Sequence, residues 1–354
     1  MGVRAGRQIV PAALARPCGG ARARQRGDTA QRMQSILAVT TPFFALVLCG
    51  YLAARQRVLP ESAIPGLNAF VLYFALPCLL FRFGMSTPLG QLLNPVVLAV
   101  YLTSALLIVA FTISVTLSAA VPMKDAAFGA LVAAFPNTGF MGVPLLVALL
   151  GAAAAGPVIS SVLADLFVTS SLCIALAQAQ DARGAGARAA VVKVLRGTLA
   201  NPLPWAIALG AATSAAGIQL VGPPDVIVRM LADAASPVAL FTIGAVLWRA
   251  GQHAHTRTPP ALYLPVAAIK LLVHPLLVFA LCAAARALGA PLSAFEVAVL
   301  TLAAALPSAS NVSLLAERYG ADNGRIVRII LASTVLAFGS FSLLAWVFGV
   351  TVTR

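Results

Sequence analysis

The chain has 354 residues, of which 60% are hydrophobic and only 10% are charged. Soluble domains carry about 25% charged residues, so this composition excludes a water-soluble globular fold for most of the chain. The formal net charge of +14 would favour nucleic acid as a partner of a soluble protein. Nearly all the basic residues lie in the N-terminal segment, in short loops or at helix ends, which indicates membrane topology and not a nucleic-acid-binding patch.

The first segment, residues 1–32, is rich in Arg, Ala and Gly. We expect this basic tail to be disordered, because it has too few apolar side chains to build a core. It also lacks the apolar h-region and cleavage site of a secretory signal peptide. The first apolar run begins just after Met33, so Met33 is a candidate initiator, which would leave residues 1–32 untranslated.

Apolar runs recur from Ser35 to Val350, and a helix needs about 20 residues to cross a hydrocarbon core of about 30 Å. We therefore predict an all-α integral membrane protein with about ten transmembrane helices. The predicted spans are residues 35–54, 63–82, 95–119, 126–150, 157–179, 201–219, 227–249, 260–284, 294–316 and 326–350.

The loops that follow the odd-numbered spans hold most of the Lys and Arg residues outside the tail. Cytoplasmic loops carry an excess of these residues, so we expect both termini on the non-cytoplasmic side of a multi-pass protein of the cell inner membrane. Translation of the basic tail would nearly cancel this bias, which again favours a start at Met33.

Similar segments recur in the two halves of the chain in the same order. Ala75-Leu76-Pro77 in span 2 corresponds to Ala235-Ser236-Pro237 in span 7, and residues 133–137 in span 4 correspond to residues 304–308 in span 9. Five spans per unit is an odd number, so the second unit enters the membrane from the opposite side, as in the inverted repeats of many secondary transporters. We therefore divide the chain into the tail 1–32, a first five-helix repeat 33–180, a cytoplasmic linker 181–200 and a second five-helix repeat 201–354.

Spans 4 and 9 each contain a polar, proline-broken segment near the bilayer midplane, at residues 136–144 and 307–313. A proline removes a backbone donor, and the freed carbonyls are tolerated in a membrane only where they line a cavity or pack in protein. The N-termini of the half-helices carry partial positive charge, which suits an anionic substrate group. Simple packing kinks are the alternative interpretation. The predicted substrate-binding residues are Pro136, Asn137, Thr138, Gly139, Pro307, Ser308, Ser310 and Asn311.

Asp165 is an acidic residue in the middle of span 5, and Lys270 is a second deep charge, in span 8. A charge inside a membrane costs about 2.5–3.5 kcal/mol or more, so such residues are usually paired or functional. Two hypotheses stay open: a neutralising Asp165–Lys270 pair, or an Asp165 that binds and releases a coupling proton. His274 lies on the same helix face as Lys270 and, taken alone, is typical of a packed side chain.

Motifs of enzymes are missing from the sequence. It contains no HExxH, GxGD or GxxxxGK[ST] motif, which argues against an intramembrane protease and against ATP hydrolysis by this chain. The pair His253 and His255 is too sparse for a metal site. We therefore expect no catalytic residue, no metal and no cofactor. Glu296 lies near a helix end, where we expect an interfacial role.

These motifs resemble the auxin efflux carrier family, whose members include plant auxin carriers and bacterial malonate-type permeases. The resemblance extends from Met33 to Val350. It rests on residues 137–144 in span 4, Asn201-Pro202 in span 6, residues 237–244 in span 7, Lys270 with Pro275 in span 8, and residues 307–311 and 316–320 in span 9. The chain lacks the long cytoplasmic loop of the plant carriers, so the bacterial permeases are the closer likeness.

The resemblance implies a five-plus-five inverted repeat, similar to bile acid symporters and bacterial sodium/proton antiporters, in which spans 4 and 9 cross as broken helices. It implies an elevator-like movement of a core domain, with substrate beside the crossover and a scaffold of spans 1, 2, 6 and 7 that often dimerises. The family's crossover positions fall on Pro136, Asn137, Gly139, Pro307, Ser310 and Asn311.

The sequence therefore predicts a secondary active transporter of a small organic anion such as a carboxylate or dicarboxylate, coupled to H⁺ or Na⁺. The expected partners are this anion, the coupling ion, the lipid bilayer and a second copy of the chain in a homodimer, without nucleic acid. A cation/proton antiporter of the same fold is the alternative, although the single acid Asp165 suits cation binding less well than two adjacent carboxylates. An integral membrane enzyme is a more distant alternative.

Overall fold

A computed structural model of the protein describes residues 20–87, 90, 94–179, 202–252 and 258–350. Within these ranges the regular structure is helical, and two isolated antiparallel bridges add the remaining backbone pairing. We name the helices α1 (Gly20–Arg55), α2 (Glu61–Ser86), α3 (Pro95–Thr116), α4 (Met123–Ala134), α5 (Thr138–Leu150), α6 (Ala152–Gln178), α7 (Pro202–Ala215), α8 (Pro223–Gln252), α9 (Pro260–Ala287), α10 (Ala294–Ala304), α11 (Val312–Arg318) and α12 (Asn323–Val347).

Seven helices in the described ranges are long and apolar enough to cross a membrane: α1, α2, α3, α6, α8, α9 and α12. This result confirms the prediction of an all-α protein with several membrane-spanning helices. The count of ten stays a prediction, because spans 4 and 9 are each divided in two, into α4 with α5 and α10 with α11. Span 6 corresponds to α7, whose first turn adjoins Asn201, outside the described residues.

The first helix is longer than expected, because α1 begins at Gly20, inside the segment predicted to be disordered. Ala and Arg have high helix propensities, and residues added to an existing helix avoid the cost of nucleation. Residues 1–19, the predicted linker 181–200, His253 and His255 lie outside the described residues. The expected start at Met33 stays a prediction.

Helices α1 and α8 pack along each other at very short range. A Cβ atom added at Gly50 in α1 would lie 1.8 Å from the carbonyl oxygen of Phe241 in α8. In the other direction, a Cβ atom added at Gly244 in α8 would lie 1.9 Å from the carbonyl oxygen of Val47. Glycine therefore allows the two backbones to touch, which is a common form of helix packing in membranes.

A second pair of helices, α2 and α7, repeats this arrangement. A Cβ atom added at Gly210 in α7 would lie 2.2 Å from the carbonyl oxygen of Phe81, and one added at Gly84 in α2 would lie 2.7 Å from that of Ile207. All four of these residues lie 160 positions from their counterparts in the α1–α8 pair. The two helix pairs therefore meet through equivalent positions in the two halves of the chain.

The remaining helices form a second group in which α4 and α10 are the most buried elements. Residues 126–134 of α4 are all buried, as are residues 299–306 at the end of α10. Helix α3 packs on α4, α6 and α9, while α10 packs on α6 and α9. Most of the buried positions in α4 are Ala, which lets neighbouring helices approach closely and places the proline-broken segments deep inside this group.

Candidate substrate and coupling site

The two proline-broken segments meet at the centre of the molecule. Helix α4 ends at Ala134 and α10 ends at Ala304, and the extended residues that follow pair as an antiparallel bridge between Pro136 and Ser308. The Asn137 N–H donates to the Pro307 carbonyl oxygen at 2.8 Å, and the Ala309 N–H donates to the Phe135 carbonyl oxygen at 3.0 Å. These bonds satisfy backbone groups that the helix breaks set free, as a membrane interior requires.

Local sequence explains where the first break falls. The ring of Pro136 disfavours the helical conformation at the preceding residue, and Phe135 accordingly has φ −97° and ψ 98°, an extended conformation. Helix resumes at Thr138 with a five-residue π turn that ends at Gly142. A π turn contains one extra residue per turn and is frequent at functional sites.

All eight predicted binding residues lie at this crossing, and most of them are buried. The Ser308 hydroxyl donates to the Val132 carbonyl oxygen at 2.7 Å, so this side chain ties the second break to the end of α4. Asn137 and Asn311 differ from it, because the amide oxygen of each is buried without a hydrogen-bond partner in the described part of the chain. A Cβ atom added at Gly139 would have no atom within 4 Å, so the backbone there borders open space.

The two half-helices that start at the crossing are unequal. Helix α5 continues for three turns to Leu150, whereas α11 has only 7 residues and ends at Arg318. The partial positive charge of a helix N-terminus arises from its unpaired N–H groups and aligned peptide dipoles. Of the two half-helices, α5 is the one long enough to concentrate such a charge at the crossing.

The carboxylate of Asp165 is fully buried and receives a hydroxyl donor on each oxygen. The Tyr101 hydroxyl, from α3, donates to Oδ2 at 2.7 Å, and the Thr169 hydroxyl donates to Oδ1 at 3.1 Å. Asp165 opens a second π turn, residues 165–169 of α6, and the Ser170 hydroxyl bonds its main-chain oxygen at 2.8 Å. Neutral hydroxyls thus solvate this charge inside the protein.

Lys270 is also fully buried and lies in a third π turn, residues 269–273 of α9. Its Nζ donates to the carbonyl oxygen of Ala304 at 2.7 Å and lies 3.1 Å from Nδ1 of His274. An ammonium group has donors only, so His274 accepts this bond. Ala304 is the last residue of α10, and a cation is favourable at the C-terminal end of a helix. Lys270 therefore binds the end of a half-helix beside the crossing.

The two buried charges do not touch. Among the described residues no N–O distance within 4 Å joins Lys270 to Asp165, although the two interact electrostatically over a longer distance. Tyr101 contacts Asp165 through its hydroxyl, and its ring centroid lies 6.3 Å from that of His274. A direct Asp165–Lys270 ion pair is thus absent from this conformation.

Tyr101 and Thr169 are members of the site that sequence reasoning missed. In the sequence, Tyr101 looks like one more apolar side chain in an apolar span. A buried tyrosine hydroxyl needs a hydrogen-bond partner, and this general rule is the signal that could have drawn attention to it. In the described ranges no cluster of three or more His, Cys, Asp or Glu side chains could hold a metal ion.

Comparisons with known proteins agree with this picture. A family model described as "Membrane transport protein" matches residues 35–347. The chain is 30% identical over 309 residues to a Rhizobium meliloti (strain 1021) protein named "Putative malonate transporter", a match that covers 86% of this chain and 93% of that protein. These matches confirm the resemblance that the motifs indicated and show a multi-pass membrane transport protein, not an enzyme. The chain belongs to the membrane transport protein family, which is the auxin efflux carrier family.

Proposed function

We propose that this chain is a secondary active transporter of a small organic anion, a carboxylate or a dicarboxylate. The observation that carries the proposal is the buried crossing of two broken helices, where the amide oxygens of Asn137 and Asn311 have no hydrogen-bond partner among the described residues. An amide oxygen only accepts hydrogen bonds, so these two atoms suit a protonated acid or a coupling cation, while the NH2 group of the same side chain donates to a carboxylate. The relative named for malonate, a dicarboxylate, supports this substrate class.

In this proposal the anion is held by neutral donors. The NH2 groups of Asn137 and Asn311 supply hydrogen bonds, the Thr138 hydroxyl turns from the Pro136 carbonyl oxygen, 3.4 Å away, to the anion, and the N-terminus of α5 supplies partial positive charge. The open space beside Gly139 leaves room for a small molecule against the backbone. The proposed binding set is Pro136, Asn137, Thr138, Gly139, Pro307, Ser308, Ser310 and Asn311.

The proposed architecture is a five-plus-five inverted repeat of ten spans. A scaffold of α1, α2, α7 and α8 borders a core domain of α3 to α6 and α9 to α12. The constant spacing of 160 residues between the two sets of glycine contacts supports this symmetry, because two equivalent units place equivalent residues against each other. The core domain moves against the scaffold like an elevator, in a homodimer of the cell inner membrane with both termini on the non-cytoplasmic side.

Coupling to an ion is assigned to the buried charges. Asp165 binds and releases a proton, and the change in its charge acts through Lys270 and His274 on the end of α10. Support comes from the complete burial of both charges and from the bond between Lys270 and Ala304. Na⁺ is the alternative coupling ion. A cation/proton antiporter has less support, because Asp165 is held by hydroxyl groups and not by a second carboxylate.

The proposal is tested by uptake of radiolabelled malonate into proteoliposomes under imposed pH or Na⁺ gradients, with other mono- and dicarboxylates as competitors. We expect Asn137→Ala and Asn311→Ala each to weaken malonate binding about tenfold or more, because a hydrogen bond to a charged group is worth about 1.5–3 kcal/mol. Asn68→Ala, on α2 in the scaffold, removes the same side chain outside the crossing and should leave affinity unchanged.

Two results would count against this function. Absence of flux for every tested anion would exclude the proposed substrate class. Ion flux without any anion, driven by a Na⁺ or pH gradient, would indicate the antiporter instead. Equal loss of affinity in the Asn68→Ala control would show that the effect is unrelated to the crossing.

A further inference from the structure

We propose that Tyr101 is the positioning residue that connects Asp165 to the broken helix at Ala304. The proposal depends on the transport function above and assigns a residue that neither the motifs nor the comparisons single out. Tyr101 is fully buried and lies on α3, a helix packed between α4, α6 and α9. It therefore touches the elements that carry both buried charges.

A continuous path of contacts passes through Tyr101. Its hydroxyl donates to Asp165 Oδ2 at 2.7 Å, and its ring lies 6.3 Å from the His274 ring, centroid to centroid. His274 Nδ1 accepts from Lys270 Nζ at 3.1 Å, and the same Nζ donates to the Ala304 carbonyl oxygen at 2.7 Å. The path thus runs from α6 through α3 and α9 to the C-terminal end of α10.

The other groups near Asp165 do not form this link. The titratable groups that interact with the carboxylate are Tyr101 from α3, Cys173 from its own helix and Lys270 from α9, and His274 lies beside Lys270. Thr169 donates to Asp165 but belongs to the same π turn, so this hydrogen bond does not connect Asp165 to another helix. Lys270 interacts with Asp165 over a longer distance without a hydrogen bond, whereas Tyr101 donates a hydrogen bond to Asp165 and places its ring beside that of His274.

The chemistry of the hydroxyl explains how the link works. A carboxylate accepts on both oxygens, so the Tyr101 hydroxyl donates its proton toward Oδ2 while Asp165 is charged. When a proton binds to Oδ2, that oxygen becomes a donor, and the Tyr101 O–H turns so that its oxygen accepts the bond. The new bond differs in direction, so the ring moves against His274, and the bond from Lys270 to the end of α10 moves with it. The π turns of α6 and α9 can absorb such a movement, because each holds one extra residue.

The test separates coupling from folding. Tyr101→Phe keeps the ring against His274 but removes the hydroxyl. Malonate accumulation driven by an imposed pH or Na⁺ gradient is compared with malonate exchange between equal concentrations, which needs the transport cycle but no driving ion. We expect Tyr101→Phe to reduce gradient-driven accumulation at least about fivefold and to leave exchange within about twofold of the wild type.

Two control variants test whether the effect is specific to the Tyr101 hydroxyl. Tyr263→Phe makes the same chemical change on α9, away from Asp165, and should leave both activities unchanged. Thr169→Val removes the other hydroxyl donor from Asp165 but leaves the path to α10 in place, and should reduce gradient-driven accumulation less than Tyr101→Phe does. Each of the variants is first checked for wild-type thermal stability in detergent.

The outcomes that overturn the proposal are distinct. Undiminished accumulation by Tyr101→Phe would remove the link, and equal loss of accumulation and exchange would show that the hydroxyl only supports the fold. Equal uncoupling by Thr169→Val would assign the effect to the solvation of Asp165 in general. Wild-type exchange without response to either gradient would leave no coupling for Tyr101 to transmit. Absence of wild-type exchange would contradict the transport function itself.

Discussion

The buried charges of this protein are held by neutral groups from their own helices and from other helices. Asp165 receives two hydroxyl donors and Lys270 binds the last carbonyl of α10, so among the described residues each has a polar shell without a direct counter-ion. Both charges could be predicted from the sequence, because an ionisable residue stands out in an apolar run. Their partners could not, because Tyr101 and Ala304 are far away in sequence and look like ordinary apolar positions.

Lys270→Met separates the energetic cost of burying the ammonium group from the role of that group in transport. Desolvation of an ion costs several kcal/mol, whereas an unpaired buried carbonyl costs about 1–3 kcal/mol, so the apolar side chain should leave the apparent Tm unchanged or raised. Malonate accumulation should fall at least about tenfold, because the end of α10 loses its link to His274. Thermal unfolding in detergent and proteoliposome uptake measure the two effects.

A strong fall of the apparent Tm in Lys270→Met would contradict this prediction and show that the ammonium holds the fold together. Lys124→Met, at the start of α4, makes the same change at a position near the helix end. It should leave uptake close to that of the wild type.

At the scale of elements, hydrogen bonds from polar side chains hold the outer ends of the broken helices. Asn94 caps α3 and its side-chain nitrogen donates to Glu296 at 3.1 Å, while Glu296 also forms a capping box with Ser293 at the start of α10. The start of α4 is held by Arg325, which donates to the main-chain oxygen of Asp125 at 2.9 Å. These contacts hold the outer ends of α4 and α10 in place.

Sequence predicted the helix breaks better than the helix contacts. Proline acts on its own backbone and on the residue before it, so residues 136 and 307 located the breaks in spans 4 and 9. The short-range contacts of Gly50 and Gly244 depend on which helices meet, and a single sequence does not contain that information. The three π turns of the buried site also escaped prediction, because nothing in local propensity distinguishes them from α-helix.

The glycine contacts lead to a prediction with opposite signs at two positions. In Gly244→Ala the new Cβ would meet the Val47 oxygen at 1.9 Å, so α1 and α8 must separate, at a cost of about 1–3 kcal/mol. In Gly339→Ala, on α12, the new Cβ would meet nothing within 4 Å, and alanine should stabilise the helix by about 0.5–1 kcal/mol. Apparent Tm values in one detergent would show the first variant lowered and the second equal or raised. A Gly244→Ala variant as stable as the wild type would mean that the two helices are not in contact at this point.

At the scale of the whole molecule, hydropathy alone predicted a membrane protein, since the apolar runs extend across most of the chain. The pairing of α1 with α8 and of α2 with α7 is a property of the complete fold, because each pair joins helices from different halves. Such pairs leave the remaining helices as a separate group that contains both broken segments. At one contact between the two groups of helices, Thr40 of α1 lies against Ser342 of α12, and their hydroxyl oxygens are 3.4 Å apart.

The Thr40–Ser342 contact gives a direct test of movement between the two groups of helices. In a variant without native cysteines, Thr40→Cys with Ser342→Cys should form a disulfide on oxidation, because both side chains are buried against each other. If α12 moves against α1 in each cycle, the oxidised double variant loses malonate uptake, and reduction restores it. Malonate binding in detergent should survive oxidation, because the crossing at Pro136 and Ser308 lies outside the cross-link. The single variants, oxidised in the same way, should transport normally. Full uptake by the cross-linked protein would show that these two helices stay together during transport, and the elevator-like movement would have to be abandoned.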